Sequence, residues 1–301
     1  MITEISSLLR TTHCSEGVLA VAGAQNEEVL KAVCEAFHIH LARPVLIGKA
    51  FEIESLLCKI GEKPSDYEIK DKPSDKEASR EAVCLAACGK ADCLMKGNVP
   101  TSVLMYEVLK KDSGIKHSDL MSHIMLYEIE NYPKVLAITD GALTPFPTLF
   151  QKAQILENAA VVLKKLEYEE INAACVCRSE IVNDKIQAYT DAEKIVRMKN
   201  KWEPYSMNVF GPVGFDLAIS KEACKRKNYI EKGGGEADLI LVSNYETGNC
   251  IGKSLTYFAN AKSAGVVIGA KVPIVLISRS DNSESELASI ALGIRVGEKK
   301  F

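Results

Sequence analysis

The sequence lacks several features that would assign it at once to a class of protein. No apolar run approaches the length of about 18 residues that a membrane-spanning helix needs, and the first residues, MITEISSLLRTTHC, include an early glutamate and no long apolar core. The net charge of -3 provides no general attraction to nucleic acid or to acidic membranes. We therefore expect a cytoplasmic protein with neither nucleic-acid nor membrane partners.

Nucleotide and metal signatures are missing as well. The triplet Gly233 to Gly235 lacks the GxGxxG or Walker spacing and indicates a loop. The ten cysteines are scattered, mostly among Ala, Val and Leu, where a reduced cysteine acts as a small core residue. Cys84, Cys88 and Cys93 have no second pair or histidine nearby at zinc spacing. We expect no metal and no permanently bound cofactor; a cysteine nucleophile stays open, since partners distant in sequence are not visible.

What the sequence has is a regular alternation of strands and helices. Apolar runs such as 17–22, 43–47 and 91–95 end at glycine or polar residues, and helical spacing follows them. This alternation predicts an α/β fold with mostly parallel sheets and helices on both faces. The length of 301 residues suits two domains of about 150 residues each.

The alternation of strands and helices is interrupted at residues 140–147, where two prolines and a polar turn predict a domain crossing. If the last helix returns to the first domain, the second crossing falls near Arg279. The predicted domains are therefore residues 1–140 with 280–301, and residues 141–279, with the active-site cleft between them.

Several local predictions concern the second half of the chain. The spacing predicts a strand over 207–210 that meets Gly211-Pro212, and one helix over 215–226. It also predicts a polar turn over 243–249 and a helix over 251–265. The stretch from Lys271 to Leu292 predicts a buried strand, a polar tip and a helix.

Polar residues follow many of the predicted strands. The carboxyl ends of strands in open α/β sheets are where ligands bind, so these residues are candidates for one site. The set comprises Lys96-Gly97-Asn98, Ser122-His123, Asp140-Gly141, Gly211-Pro212, Asn244 with Gly248-Asn249, and Ser278-Arg279.

Arg279 is the strongest individual candidate, because its planar guanidinium follows a buried strand and suits a phosphate or carboxylate. Ser278 suits two roles equally well: its hydroxyl can donate a hydrogen bond to an oxyanion, or it can cap the next helix. Asp281 and Glu284 lie in the first turns of that helix, where acidic residues favour the helix dipole whether or not they act as a base. Lys96 suits a phosphate or a solvated loop.

His123 fits a buried strand histidine more readily than a catalyst. Gly211 and Pro212 are expected to form a turn, although the amides at the start of the following helix would suit an anion.

Longer segments of the chain resemble the phosphate acetyl/butyryltransferase family, in the same order over about residues 91–292. The matching segments are LMKGNVPT, SHIMLYE, ITDGALTPFPTLFQKAQILENA, GPVGFDLAISKEA, ADLILVSNYETGN, GKSLTYFANAKSAGVVIGAKVPIVL and SRSDNSESELASIAL.

The resemblance implies a two-domain fold similar to the isocitrate and isopropylmalate dehydrogenases, and a homodimer. It also implies reversible transfer of an acyl group between CoA and inorganic phosphate, giving acyl phosphate and CoA. Butyryl or a branched C4–C5 group is favoured because the tail matches the butyryl branch. CoA and acyl-CoA are substrates here, not resident cofactors.

The family's active-site serine and arginine match Ser278 and Arg279. Thr101 and Lys253, in two other matching segments, complete the candidate set for substrate and CoA binding. The aspartate proposed as base in the acetyl branch falls on Ser285, so Glu284 or Asp281 would have to act in its place.

Three alternatives stay open at this point. One is a phosphate acetyltransferase, and another is a non-catalytic CoA-binding or regulatory protein. The third, a decarboxylating dehydrogenase, would need a cluster of aspartates for a divalent metal, whereas Asp140, Asp216 and Asp238 are isolated in the sequence.

Overall fold

The structure is a computed structural model that describes residues 2–10, 16–118, 120–276 and 283–297. Its contacts divide the chain into two compact units. The N/C unit comprises residues 6–119 and 264–301, and the middle unit comprises residues 1–5 and 120–263. Within the described ranges, no helix combines the length and apolar character required to cross a membrane.

The elements alternate along most of the described chain. Its strands are β1 (Gly17–Ala22), β2 (Ala42–Gly48), β3 (Glu68–Asp71), β4 (Cys93–Lys96), β5 (Ser122–Glu128), β6 (Leu136–Thr139), β7 (Ile171–Cys177), β8 (Met207–Gly214), β9 (Leu239–Leu241), β10 (Lys262–Ile268) and β11 (Ile274–Leu276). Its α-helices are α1 (Ser7–Arg10), α2 (Glu27–His38), α3 (Ala50–Lys59), α4 (Asp75–Ala87), α5 (Thr101–Leu109), α6 (Leu149–Lys165), α7 (Gln187–Arg197), α8 (Lys199–Trp202), α9 (Phe215–Ile219), α10 (Lys221–Lys227), α11 (Tyr245–Phe258) and α12 (Ser283–Gly297). Short 3-10 helices cover Pro64–Asp66 and Glu203–Tyr205.

The strands of the N/C unit lie in the order β3-β2-β1-β4-β11-β10. Neighbours from β3 to β11 are parallel, and β10 pairs antiparallel with β11. Leu19 and Val21 in β1, and Leu94 and Met95 in β4, are completely buried, as expected for the interior of a parallel sheet covered on both faces.

Helix α12 packs closely on this sheet through two small residues one turn apart. A Cβ added to Gly293 would lie 2.6 Å from Sγ of Cys93, and one added to Gly297 would collide with the carbonyl oxygen of Asp92. Only glycine allows the helix backbone to approach β4 this closely. The helix that begins after the predicted polar tip is thereby fixed to the sheet.

The strands of the middle unit lie in the order β5-β6-β9-β7-β8. β6, β9, β7 and β8 are parallel, and β5 pairs antiparallel with β6. Thr148 and Gln151 form a capping box at the start of α6. The alternating, mostly parallel α/β architecture is therefore confirmed.

The predicted turn over 243–249 is wrong from Tyr245 onwards, and the predicted helix over 251–265 is confirmed only as far as Phe258. The Asn244 side chain accepts the amide hydrogen of Thr247 and caps α11, so the helix begins at Tyr245. It ends at Phe258, and residues 262–268 form β10, in which Ala264, Val266 and Val267 are completely buried. The β-branched run prefers a buried strand to the end of a helix.

The predictions for residues 207–226 also need correction. β8 continues through Gly211-Pro212 to Gly214, so this pair lies inside a strand and is not at a helix start. The predicted single helix is two helices, because Ser220 leaves the helical conformation and its side chain accepts the amide hydrogen of Ala223 to cap α10.

The unit boundaries at 119/120 and 263/264 differ from the predicted crossings near 140 and 279. β5 pairs with β6 and β6 pairs with β9, so residues 122–139 belong to the sheet of the middle unit. β10 pairs with β11, which pairs with β4 of the N/C unit. The proline-containing segment 141–147 is therefore a loop within the middle unit that leads into α6.

Candidate active site

The end of β4 and the loop after it bring Lys96, Gly97 and Asn98 against the carboxyl end of β1. The Gly97 amide donates to the carbonyl of Ala22 at 2.9 Å, and the Asn98 amide donates to that of Gly23 at 2.6 Å. A Cβ on Gly97 would collide with the Gly23 carbonyl oxygen, so the close approach requires glycine. The predicted position of this loop at a strand end is therefore correct.

Lys96 is the last residue of β4, and its Nζ donates to the carbonyl oxygen of Gly97 at 3.0 Å. Asn98 and Thr101 are exposed, and Thr101 is the first residue of α5. The preceding Pro100 provides no side-chain cap, which leaves the start of this helix with a partial positive charge. A lysine and a helix start lie close together in sequence here, a combination that suits an anion.

Ser122 and His123 begin β5, whereas the sequence placed them at the end of a strand. Because β5 is antiparallel to β6 and Ile124 faces Thr139, both residues still lie near the carboxyl end of β6. Both are buried, with 2% of Ser122 and 8% of His123 exposed. Asn158 Nδ2 donates to Ser122 Oγ at 2.9 Å, which connects α6 to the start of β5.

Asp140 follows β6 and is only 2% exposed. Its Oδ1 accepts the amide hydrogens of Ala142 and Leu143 at 2.9 and 3.0 Å, and its Oδ2 accepts that of Thr144 at 3.2 Å. Three amide donors satisfy this buried carboxylate without a cation. The contacts make Asp140 an organiser of the loop that leads to α6.

The start of α11 packs against this loop. A Cβ on Gly248 would lie 2.7 Å from the Cα of Gly141, so the structure brings the predicted pairs Asp140-Gly141 and Gly248-Asn249 together. Asn244 Oδ1 accepts hydrogen bonds from the amide and hydroxyl of Thr247, and acts as a helix cap. Asn249 is exposed and Lys253, one turn further, is partly buried.

Of the predicted catalytic residues, only Glu284 lies in the described part of the chain. It is exposed in the first turn of α12. Next to it, Ser285 accepts a hydrogen bond from Ser289 Oγ at 2.7 Å through its carbonyl oxygen. Ser278, Arg279 and Asp281 lie outside the described residues.

A cleft of about 850 Å³ opens in the middle unit at the carboxyl ends of β7 and β9. Its lining includes Arg178, Ser179 and Lys185 from the β7–α7 segment, and Ser243 and Thr247 from the other side. The sequence prediction missed Arg178 and Ser179, although they follow a buried strand in the same way as Asp140 and Asn244. The polar residues that follow Cys177 were the available signal.

The two cysteines at the end of β7 are poor nucleophiles. Burial raises the pKa of the Cys177 thiol to about 11, with Lys152 opposing the shift, and burial likewise raises the pKa of Cys175. Both thiols are protonated at neutral pH, which argues against a thiolate mechanism at this edge. Among the described residues, no three His, Cys, Asp or Glu side chains are grouped so as to hold a metal ion.

The mixed α/β fold with strand ends that carry polar loops defines a class that includes phosphotransacylases and some dehydrogenases. A branched-chain phosphotransacylase from Enterococcus faecalis V583 superposes with a TM-score of 0.84 and 31% identity, covering 94% of this chain and 99% of that protein. A 4-hydroxythreonine-4-phosphate dehydrogenase from Burkholderia phymatum shares the fold at a TM-score of 0.57 and 15% identity, covering 94% and 99% of the two chains.

Sequence comparison narrows the class further. Residues 53–294 match the family described as phosphate acetyl/butaryl transferase. The chain is 37% identical to the phosphate butyryltransferase of Clostridium acetobutylicum over 282 residues, which cover 94% of both proteins. The chain therefore belongs to the phosphate acetyl/butyryltransferase family, which confirms the resemblance in the sequence.

Proposed function

We propose that the protein catalyses the reversible transfer of a short acyl group, butyryl or a branched C4–C5 group, between CoA and inorganic phosphate. The products in one direction are acyl phosphate and CoA. One observation carries the proposal: the similarity to a butyryltransferase extends over nearly the full length of both chains. The fold of a branched-chain phosphotransacylase supports the same acyl class.

The chemistry is direct transfer in a ternary complex. A phosphate oxygen attacks the thioester carbonyl carbon, the carbon–sulfur bond breaks, and the departing CoA thiolate takes up a proton. Phosphate is already largely ionised at neutral pH, so this direction depends on positioning and oxyanion stabilisation more than on a strong base.

In this proposal Arg279 and Lys96 hold the phosphate, and Ser278 donates a hydrogen bond to the thioester oxygen. Glu284 or Asp281 removes the proton of the CoA thiol in the reverse direction, where a thiol with a pKa of about 8.5 benefits from a base. The exposure of Glu284 in the first turn of α12 supports its access to a substrate. CoA and acyl-CoA act as substrates, and the scheme uses no metal or other cofactor.

The other candidate residues are proposed to contribute to substrate and CoA binding. Gly97, Asn98 and Thr101 form the loop and helix start beside Lys96. Asp140, Ser122 and His123 support the end of β6, while Asn244, Gly248, Asn249 and Lys253 belong to the capped start of α11. The proposal also includes a cytoplasmic homodimer, which light scattering tests as twice the chain mass of 32.9 kDa.

Phosphate-dependent thiol release from acetyl-, propionyl-, butyryl- and isobutyryl-CoA tests the acyl preference. We expect the highest kcat/KM with butyryl- or isobutyryl-CoA. A highest value with acetyl-CoA would instead identify a phosphate acetyltransferase, the other activity in the family description. Binding of CoA without acyl phosphate formation from any of the four substrates would identify a non-catalytic CoA-binding protein.

A further inference from the structure

The cleft in the middle unit has the size and composition of a ligand site. Its volume of about 850 Å³ lies within the range of small-molecule pockets, about 300–1,000 Å³. It opens beside the carboxyl ends of the parallel strands β7 and β9, where open α/β sheets bind ligands. Inorganic phosphate alone would fill only a small part of this volume.

Two cations line the cleft without partners of their own. The Arg178 guanidinium and the Lys185 ammonium make no hydrogen bond or ion pair with any residue that the structure describes. Asp184 is the carboxylate in the lining, so the cleft has an excess of positive charge. An arginine fork and a lysine together provide charge-assisted hydrogen bonds to phosphate groups.

The start of α7 adds to the attraction for anions. Ile186 precedes this helix of 11 residues and provides no side-chain cap, and the amides of Gln187 and Ala188 donate to no group in the described ranges. Unsatisfied amides at a helix start carry partial positive charge. Ile186 and Ala188 of this helix start line the cleft together with Lys185.

The lining of the cleft is also apolar in part. Ile181 is 74% exposed, Val182 39% and Ile186 46%, and all three line the cleft. Exposed aliphatic side chains beside cations fit a ligand that combines phosphate groups with an apolar or aromatic part. The phosphorylated adenosine of CoA has this composition and a size that suits the cleft, whereas inorganic phosphate has no apolar part and a short acyl phosphate would fill only a small part of about 850 Å³.

We infer that this cleft binds the phosphorylated adenosine part of CoA, with Arg178 and Lys185 on its phosphate groups. The inference rests on the proposed function, because it assigns one part of the acyl-CoA substrate to a site in the middle unit. It adds Arg178 and Lys185 as binding residues that are separate from the candidate phosphate residues Arg279 and Lys96.

The test combines substitutions with truncated substrates. Arg178→Met and Lys185→Met remove the charges and retain much of the side-chain length, and Arg197→Met and Lys194→Met are matched controls on α7 outside the cleft lining. Steady-state kinetics use butyryl-CoA, its 3'-dephospho form and butyryl-pantetheine. All four positions are exposed, so the variants should fold, and thermal unfolding checks that they do.

We expect each cleft variant to raise the KM for butyryl-CoA about tenfold or more, because each removes a charge-assisted hydrogen bond. The KM for butyryl-pantetheine, the KM for phosphate and kcat should not change, and neither should any constant of the control variants. An equal effect on butyryl-pantetheine, a raised KM for phosphate, or no effect would overturn the inference.

The inference and the proposed function can fail separately. If the wild-type protein shows no acyl transfer, calorimetric binding of CoA replaces the kinetic measurement. Weaker CoA binding to the cleft variants than to the control variants would then support the cleft assignment without the activity. Equal binding to all variants would overturn it.

Discussion

At the scale of single residues, two arginines are proposed to bind different phosphate groups. Arg279 belongs to the serine-arginine pair that we propose for the active site, and Arg178 lines the cleft of the middle unit. The first is proposed to stabilise the charge that develops during transfer, and the second to bind a part of the substrate that does not react. Substitutions should therefore affect kcat at the first position and KM at the second.

Arg279→Ala should lower kcat by about 100-fold or more, because it removes a donor aimed at transition-state charge. Phosphate-dependent thiol release from butyryl-CoA measures the effect, and Arg295→Ala on α12 is a matched control. Near-normal turnover of the Arg279 variant would contradict its role in catalysis.

Glu284→Gln should slow the conversion of acyl phosphate and CoA most strongly at low pH, where little thiolate forms unaided. The expected loss is about 100-fold near pH 6.5 and smaller near pH 8.5, since a general base typically contributes about 100-fold or more. The pH dependence of kcat measures it, with Asp281→Asn as the comparison. An unaltered profile for the Glu284 variant would exclude this carboxylate as the base.

At the scale of elements, a buried ion pair connects α6 to α7 beside the cleft of the middle unit. Lys152 Nζ lies 2.8 Å from Oδ2 of Asp191, and the two side chains are only 7% and 6% exposed. Val176, Ala188 and Ser243 line the cleft and also lie near Lys152 in the small pocket beneath it. The pair thereby fixes the helix whose start forms one wall of the cleft.

Breaking that pair should be more damaging than replacing it. Lys152→Met or Asp191→Leu alone leaves a buried unpaired charge and should lower the free energy of unfolding by about 3–5 kcal/mol. The double variant should be far more stable than the sum of the two losses predicts. Urea unfolding measures all three variants, and simple additivity would contradict an ion pair between these residues.

The sequence predicted an element correctly where an apolar run was followed by a clear stop signal. β1, β2 and β4 appear close to the predicted apolar runs 17–22, 43–47 and 91–95, because each run is apolar and ends at a glycine or a polar residue. The bounds of α11 and β10 were predicted wrongly because the signal at the start of α11 is ambiguous. Asn244 was read as part of a turn because a cap and a turn use the same residue types.

Candidate site residues were predictable only as positions at strand ends. The sequence placed Asp140 after a strand, but the three amides that occupy its carboxylate depend on the fold of the following loop. The sequence did not single out Arg178 because the residues around it form no recognised binding motif. Arg178 lines the cleft beside β7 and β9, and the sequence alone does not show that these two strands are neighbours.

At the scale of the whole molecule, the buried thiols and phenols make stability depend on pH. Burial raises the pKa of the Cys34 thiol to about 11, and burial also raises the pKa of the Tyr132 and Tyr168 hydroxyls. An unfolded chain releases these protons near their ordinary values, about 8.5 for cysteine and 10 for tyrosine. The folded protein keeps them, so high pH favours the unfolded state.

The free energy of unfolding should therefore be steady up to about pH 8.5 and fall as the pH rises towards 11. Urea unfolding at a series of pH values measures the slope. Cys34→Ala should make the slope smaller, and Cys58→Ala, at an exposed cysteine, should leave it unchanged. A flat stability profile between pH 8 and 10.5 would contradict the burial of these groups.

The family and the α/β fold together define an acyl transfer in which phosphate is the acceptor. The most direct test incubates the protein with butyryl-CoA and inorganic phosphate, and measures free thiol and acyl phosphate in the same samples, the latter trapped as hydroxamate. We predict equal amounts of both products, and neither product when phosphate is omitted. Thiol release without phosphate, or without matching acyl phosphate, would contradict acyl transfer between CoA and phosphate.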